Sequence, residues 1–336
     1  LCFLVQPRFL YPSPENIVKE FFPEKTKIFR MACNGGIAGG FSLEKIRSRM
    51  DFRSRLAAKP CYINGDRIQD RFGPRTPRGT YFTAAGKESS GFMTNWADVT
   101  MPAFEELRRQ TRTVIFPVGS LEEHGPHLPL GTDTFHALEV ARRVARLRPV
   151  VIAPPLFYGV CRSTREHPGT VSISGDTLRA LLLDAGREFH RQGLHHLVFI
   201  SGHAGGTHIS AIVEAGERLL AELPEAKVAV VNLLELLREV LAEKPGLVHT
   251  RGDSHAGEVE TAVMMAAHPD LVRGTAPEEW PSFPKYVLVR DKRRYWPGGV
   301  WGNPGAATAA QGEEILAAEA ISLSKLISML EEMGSR

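Results

Sequence analysis

Residues 113–133 read TVIFPVGSLEEHGPHLPLGTD: an apolar strand, a Gly/Pro-rich loop and the start of a helix in one run. Thr113–Val118 is apolar almost throughout rather than at alternate positions, as expected for a strand covered on both faces. The loop then supplies Glu122, His124 and Asp133. Glu122 and His124 stand two residues apart, so an extended backbone turns both side chains to one face, which a helix would not do. Pro126 and Pro129 stiffen the turn that brings Asp133 back toward them. A second apolar strand, His196–Ile200, runs into Ser201-Gly202-His203-Ala204-Gly205-Gly206 and delivers another imidazole at a strand end. Mixed imidazole and carboxylate ligation suits a borderline cation such as Zn²⁺ or Fe²⁺, with a position left for water. The expectation is therefore a metal-dependent hydrolase. Glu123 reads as a solvated or outer group, and His127 either as a fourth ligand or as a loop histidine bonded to backbone carbonyls.

Working outward, Val150–Ala153, Val171–Ser174 and Lys227–Val231 read as further strands. Helices are predicted over Met101–Arg109, Asp133–Arg146 with Thr132 or Asp133 as its cap, Thr177–Gln192, Thr207–Ala221, Leu233–Leu241 and Ala309–Met333, with another after His255. Apolar strands alternating with helices predict an α/β fold with a mostly parallel sheet covered on both faces. In such sheets a site forms where strands end and helices begin, which is where His124 and His203 fall.

A third segment, Arg251-Gly252-Asp253-Ser254-His255-Ala256-Gly257-Glu258-Val259-Glu260-Thr261, offers a histidine with two acids at a helix start. It can serve acid/base chemistry, or it can be a capping cluster with Asp253 or Ser254 as cap and Glu258 as a first-turn acid. Glu258 and Glu260 diverge by about 200° on a helix, so only one of them faces a metal. Cys161 reads as a thiol nucleophile or, more simply, as a small buried apolar residue. Residues 291–302, DKRRYWPGGVWG, suit a pocket wall or a subunit contact better than a nucleic-acid surface.

Composition sets the limits. With 336 residues, 43% apolar and 24% charged, the chain is of ordinary globular composition. Residues 1–92 carry 16 Lys+Arg against 8 Asp+Glu, leaving 25 against 30 in residues 93–336. That acidic body gives no reason to expect a polyanionic partner, and no apolar run approaches the roughly 18–20 residues needed to span a bilayer. Three of the four cysteines, Cys2, Cys33 and Cys61, lie in the first segment. One thiol in the remainder makes no disulfide framework, so a reducing cytoplasm is expected. Residues 1–92 lack periodic patterning, and the chain opens on Leu1. The expectation for them is a basic, irregular extension, disordered or the product of an over-extended reading frame with Met93 as the natural start; the alternative is a basic arm for a partner.

The three ordered motifs GSLEEHGPHLPLGTD, GHAGG and HAGEVET resemble those of the creatininase family of metal-dependent amidohydrolases, over residues 93–336. The resemblance implies a three-layer α/β/α sandwich, one or two divalent metal ions (Zn, with Fe or Mn as alternatives) and a homo-oligomer, a hexamer in the family. It implies Glu122, His124, Asp133 and His203 as metal ligands, with Asp133 as the bridge and Glu260 as a further ligand. His255 would protonate the leaving nitrogen, and Glu258, or Glu260 in its place, would accept the water's proton. Arg251, Asp253, Ser163 and Thr164 are the expected contacts to a small-molecule substrate. The chain departs from the pattern twice. Gly205 stands where creatininase itself carries a Glu that ligates the second ion, and Ser163-Thr164 replace a common Glu-His. The implied activity is hydrolysis of an amide-type C–N bond in a cyclic amide, a formamide or a small peptide. The alternatives are a catalytically silent binding protein of the same fold and a formylamino-pyrimidine nucleotide deformylase.

Overall fold

The computed structural model describes residues 95–334, and the expectations for residues 1–92 lie outside the described residues. Four strands, β1 (Thr113–Val118), β2 (Val151–Ile152), β3 (His196–Ser201) and β4 (Lys227–Asn232), form one sheet in the order β2-β1-β3-β4. All three pairings are parallel. Helices α1 (Met101–Gln110), α2 (Thr132–Leu147), α3 (Gly175–Arg191), α4 (Gly206–Glu222), α5 (Leu233–Glu243), α6 (Glu258–Ala267) and α7 (Ala309–Glu332) complete the described elements, with short 3-10 turns between some of them.

The period of two along the strands sorts their side chains between two cores. Val114, Phe116 and Val118 of β1 and Leu197 and Phe199 of β3 pack with Leu107 of α1, Leu178 and Leu182 of α3 and Ile212 and Leu219 of α4. Ile115, Val198 and Ile200 point to the other side, against Val140 of α2, Leu237 of α5, Val263 of α6 and Leu323 of α7. This is the expected α/β/α sandwich, and the near-continuous apolar strands are its direct cause. No described helix is long and apolar enough to cross a membrane.

Two expectations shift. Val171–Ser174 is not a strand but a pair of isolated bridges, Val171 to Leu121 and Ser172 to Gly159. Neither Thr132 nor Asp133 caps α2. Gly131 holds the cap position without a side-chain bond, and both lie inside the first turn, which frees the Asp133 carboxylate for other partners. Elsewhere Ser174 caps α3, Asn232 caps α5 and Thr308 forms a capping box with Gln311 on α7.

The chain crosses from β1 to β2 on one side and continues from β3 to β4 on the other, so the order reverses between β1 and β3. Crevices at such reversals bind ligands in open α/β sheets. The last residues of the two strands, Val118 and Ser201, are register partners, which sets the loop carrying Glu122 beside the loop carrying His203. Gly202 makes the close approach possible: a Cβ there would sit 2.0 Å from the Asp133 carbonyl oxygen. No larger residue lets the end of β3 lie against the first turn of α2.

Candidate metal centre

Glu122, His124, Asp133 and His203 converge at the ends of β1 and β3. His124 is fully buried, and Glu122 and Asp133 are each 2% exposed. His124 Nε2 lies 3.1 Å from Asp133 Oδ1 and 3.6 Å from Glu260 Oε2. On the other side, His203 Nδ1 lies 2.7 Å from Glu122 Oε2 and 3.2 Å from Asp133 Oδ2. Asp133 thus turns one carboxylate oxygen to each histidine.

The far nitrogen of each ring is engaged by the backbone. His124 Nδ1 donates to the Glu122 carbonyl at 3.1 Å, and His203 Nε2 to the Val160 carbonyl at 3.2 Å. Such bonds orient an imidazole and leave its other nitrogen facing the ligand position. Ser120 donates to Asp133 Oδ2 at 2.5 Å, and Thr164 donates to Glu122 Oε1.

Burying carboxylates without compensation is costly, and the titration behaviour reflects how the charges answer one another. Burial opposes ionisation of Glu122, yet His203 outweighs it and holds that carboxyl down at about 2. Burial likewise opposes charging of His124, yet Asp133 and Glu260 hold its pKa up at about 10. His203 is raised well above the usual imidazole range against the same opposition, by Glu122 and Asp133. The cluster therefore demands positive charge at its centre. Protons on two imidazoles supply it here; a divalent cation supplies it equally well and releases those protons. Three carboxylates and two oriented imidazoles fit such an ion.

The α6 end completes the site. Glu260 joins His124 and Asp133 in a set whose ligand atoms lie within 4.8 Å of one another. Its Oε2 also accepts from the Ala256 amide at 2.5 Å, across a turn in which Ala256 adopts a left-handed φ of 48°. Nonglycine residues hold that conformation only where the surroundings require it. His255 enters from the same turn: its ring centroid is 4.3 Å from that of His124, and its Nε2 is 2.8 Å from the Glu123 carbonyl oxygen. Burial and His124 oppose charging of His255, but Glu123, Glu122 and Glu260 raise its pKa overall.

Several expected residues stand elsewhere. Glu258 is fully buried and faces away from the site: its carboxylate accepts from the amides of His249 and Thr250 and from Gln311. It anchors a loop, because two residues along a helix it must diverge from Glu260. Thr164 is buried against Glu122 and meets no open space, so it orients a carboxylate rather than contacting substrate. Asp253 lines the cavity, but both its oxygens cap α6 through the amides of Glu258 and Val259 at 2.8 and 3.0 Å. Arg251 is exposed and is not among the residues lining the cavity over the centre. Ser163 does line the cavity. His127 bonds to Thr261 at 2.9 Å, away from the centre, while Glu123 takes the outer of its two expected places, buried and 3.6 Å from His255. Burial, then Glu122, pushes the Cys161 thiol up to about 12, which works against a thiol nucleophile.

Trp296 and Trp301 of the 291–302 run line a cavity of about 250 Å³ over the centre, and His136, which no motif marks, stands beside it. His136 pairs with the buried Glu319 of α7 at 2.8 Å. The Trp-Pro-Gly-Gly-Val-Trp run was the available signal for the wall; nothing local marks Glu319.

The fold and the buried cluster together define an α/β/α protein with a candidate divalent-metal centre at its strand ends. The creatininase family model, described as creatinine amidohydrolase, matches residues 97–327. The chain belongs to the creatininase family, and is thereby a hydrolase acting on C–N bonds. It is 34% identical over 219 residues to the mycofactocin precursor peptide peptidase of Mycobacterium ulcerans, covering 61% of this chain and 80% of that protein. It is 30% identical over 219 residues to the creatinine amidohydrolase of Pseudomonas putida, covering 60% and 84%. The crystal structure of creatinine amidohydrolase superposes with a TM-score of 0.64 at 27% identity, over 72% of this chain and 99% of that one. Neighbouring creatininase structures include Mn and Zn-Zn types, which with the donor set above supports a divalent metal here.

Proposed function

We propose that this chain hydrolyses an amide-type C–N bond in a short peptide or formamide, using two divalent cations shared across Asp133. The observation that carries the reading is the two-sided carboxylate, with Oδ1 toward His124 and Oδ2 toward His203. Glu122, Asp133 and His203 would hold one ion, and His124, Asp133 and Glu260 the other. Zn²⁺ suits this mixture of oxygen and imidazole donors. The chemistry such ions supply is Lewis-acid activation of water at neutral pH and polarisation of the substrate carbonyl.

The protein's own residues do the rest. Ser120 and Thr164 fix the Asp133 and Glu122 carboxylates through hydroxyl donors. Trp296 and Trp301 line the cavity over the centre. His255 stands on that wall beside His124, placed to give a proton to the departing nitrogen. Glu258 is fixed to the backbone and takes no part.

Gly205 supports a substrate other than creatinine. A Cβ at that position would meet His203 Nε2 at 2.5 Å, so no side chain, and hence no ligating Glu, fits there without displacing the ring. Glu260 fills the vacancy in the donor set. The relative named as a precursor peptide peptidase favours a peptide bond as the target. The test is turnover of a panel of small amides, formamides and dipeptides by metal-reconstituted protein before and after chelation. The reading expects activity that chelation removes and Zn²⁺ or Mn²⁺ restores; activity indifferent to chelators contradicts it.

A further inference from the structure

A second cavity, of about 780 Å³, opens beside the metal centre and shares Glu122, His203 and Ser163 with it. Its wall gathers Arg162 and Arg165 from the loop after β2, and Arg290 and Lys292 from the loop before α7. Among the described residues none of the four makes an ion pair, whereas eight other arginines of the body do. Lys292 is only partly exposed, and its one polar contact is the Ser163 hydroxyl at 3.4 Å. Burial and Arg162 lower its pKa, with Glu166 opposing. Gly205, Gly206 and Thr207 bring the N-terminus of α4, which has no side-chain cap, to the same cavity. Its free amides and dipole add further positive potential.

Glu166 and Glu122 also line the cavity, so four cations face two carboxylates and positive charge remains in excess there. The body that carries them is net acidic, so the concentration is local. We propose, building on the hydrolase reading above, that this cavity binds an anionic group of the substrate, a carboxylate or phosphate. That group belongs to the portion of the substrate lying away from His255. Because His255 faces the leaving nitrogen, the anion sits on the acyl side of the scissile bond. Arg162, Arg165, Arg290 and Lys292 grip it through charge-assisted hydrogen bonds, the strong class of such contacts.

The test is calorimetric binding of three probes to the metal-loaded full chain: succinamate, 3-phosphonopropanamide and the uncharged succinamide. At least one anionic probe is expected to bind about tenfold or more tightly than succinamide, since hydrogen bonds to charged groups are stronger than those between neutral groups. Whichever binds more tightly identifies a carboxylate or a phosphate site. The preference should fall about tenfold in Arg290→Ala/Lys292→Ala, with metal content unchanged. Arg162→Ala/Arg165→Ala provides the same reading if the first pair does not fold. Equal affinity for charged and uncharged probes overturns the proposal. So does a preference that survives both pairs, because the anion would then sit on the metal. Binding that behaves as expected without turnover of any amide removes the hydrolase reading instead.

Discussion

The two halves of the centre are built by different means. Glu122, His124, Asp133 and His203 come from strand ends, where register fixes position: Val118 pairs with Ser201, and Gly202 lets the loops touch. Glu260 and His255 come from a turn and a helix start, where position depends on helical phase and on a left-handed Ala256. Sheet register is enforced by every buried side chain of two cores, because a one-residue slip would turn each to the wrong face. The helical half rests on fewer supports: the Asp253 cap, the Glu258 anchor and the contacts of α6 with α2 and α7. The strand half should therefore hold the metal most tightly, and the helical half should tune the chemistry.

The sharpest way to break that contrast is to remove the shared carboxylate. Asp133→Ala should abolish bound metal and reduce turnover by about 10³-fold or more, a loss at least as large as that of a key electrostatic group. Retained metal, measured by elemental analysis, would show that the halves do not meet at Asp133. Next in size, His255→Asn should lower kcat by about 10²–10⁴-fold while metal content stays, as expected for loss of a general acid. Steady-state kinetics with an activated leaving group refine this, because a good leaving group should recover most of the loss.

Thr164→Val tests whether the strand half needs its hydroxyl support. It leaves Glu122 Oε1 without its donor and should weaken metal affinity by about 10–100-fold, measured by competition with a chelator. Turnover at saturating metal should change little. Glu258→Ala tests the helical half without touching the metal. It strips the acceptor from the His249 and Thr250 amides and should cost about 1–3 kcal/mol of stability by denaturant unfolding, with metal content intact. Glu260→Ala should do the reverse, losing metal with little change in stability.

The smallest effect concerns Asp253, whose carboxyl burial pushes up to about 6 despite its two amide donors. Because its folded pKa exceeds its unfolded value of about 3.9, the folded protein binds more protons between those values. This group's contribution to stability therefore falls as pH rises from about 4 to about 6. Asp253→Asn should remove that slope in a comparison of unfolding curves across the window; an unchanged slope would assign it to other acids.

What the sequence reveals follows the same division. Continuous apolar strands and Gly/Pro loops announce a two-sided parallel sheet with polar groups at its ends, so the strand-end residues were legible before any coordinates. The phase of α6 was not: the i, i+2 spacing shows that Glu258 and Glu260 diverge, but only tertiary packing decides which one meets His124. Thr164 was legible as a pocket-region residue, but its burial against Glu122 depends on how a long loop folds back. The aromatic and Gly/Pro run 291–302 marks Trp296 and Trp301 as a candidate pocket wall, whereas Glu319 sits on a helix far along the chain and carries no local signal. The bridges at Val171 and Ser172 lack the length that sustains a strand.

The central claim is that one carboxylate joins two cation positions. Metal stoichiometry of the full chain, its Glu260→Ala variant and its Asp133→Ala variant tests it most directly. The account predicts two ions per chain, then one, then none. A single ion in the parent chain, or an ion that persists without Asp133, would contradict it.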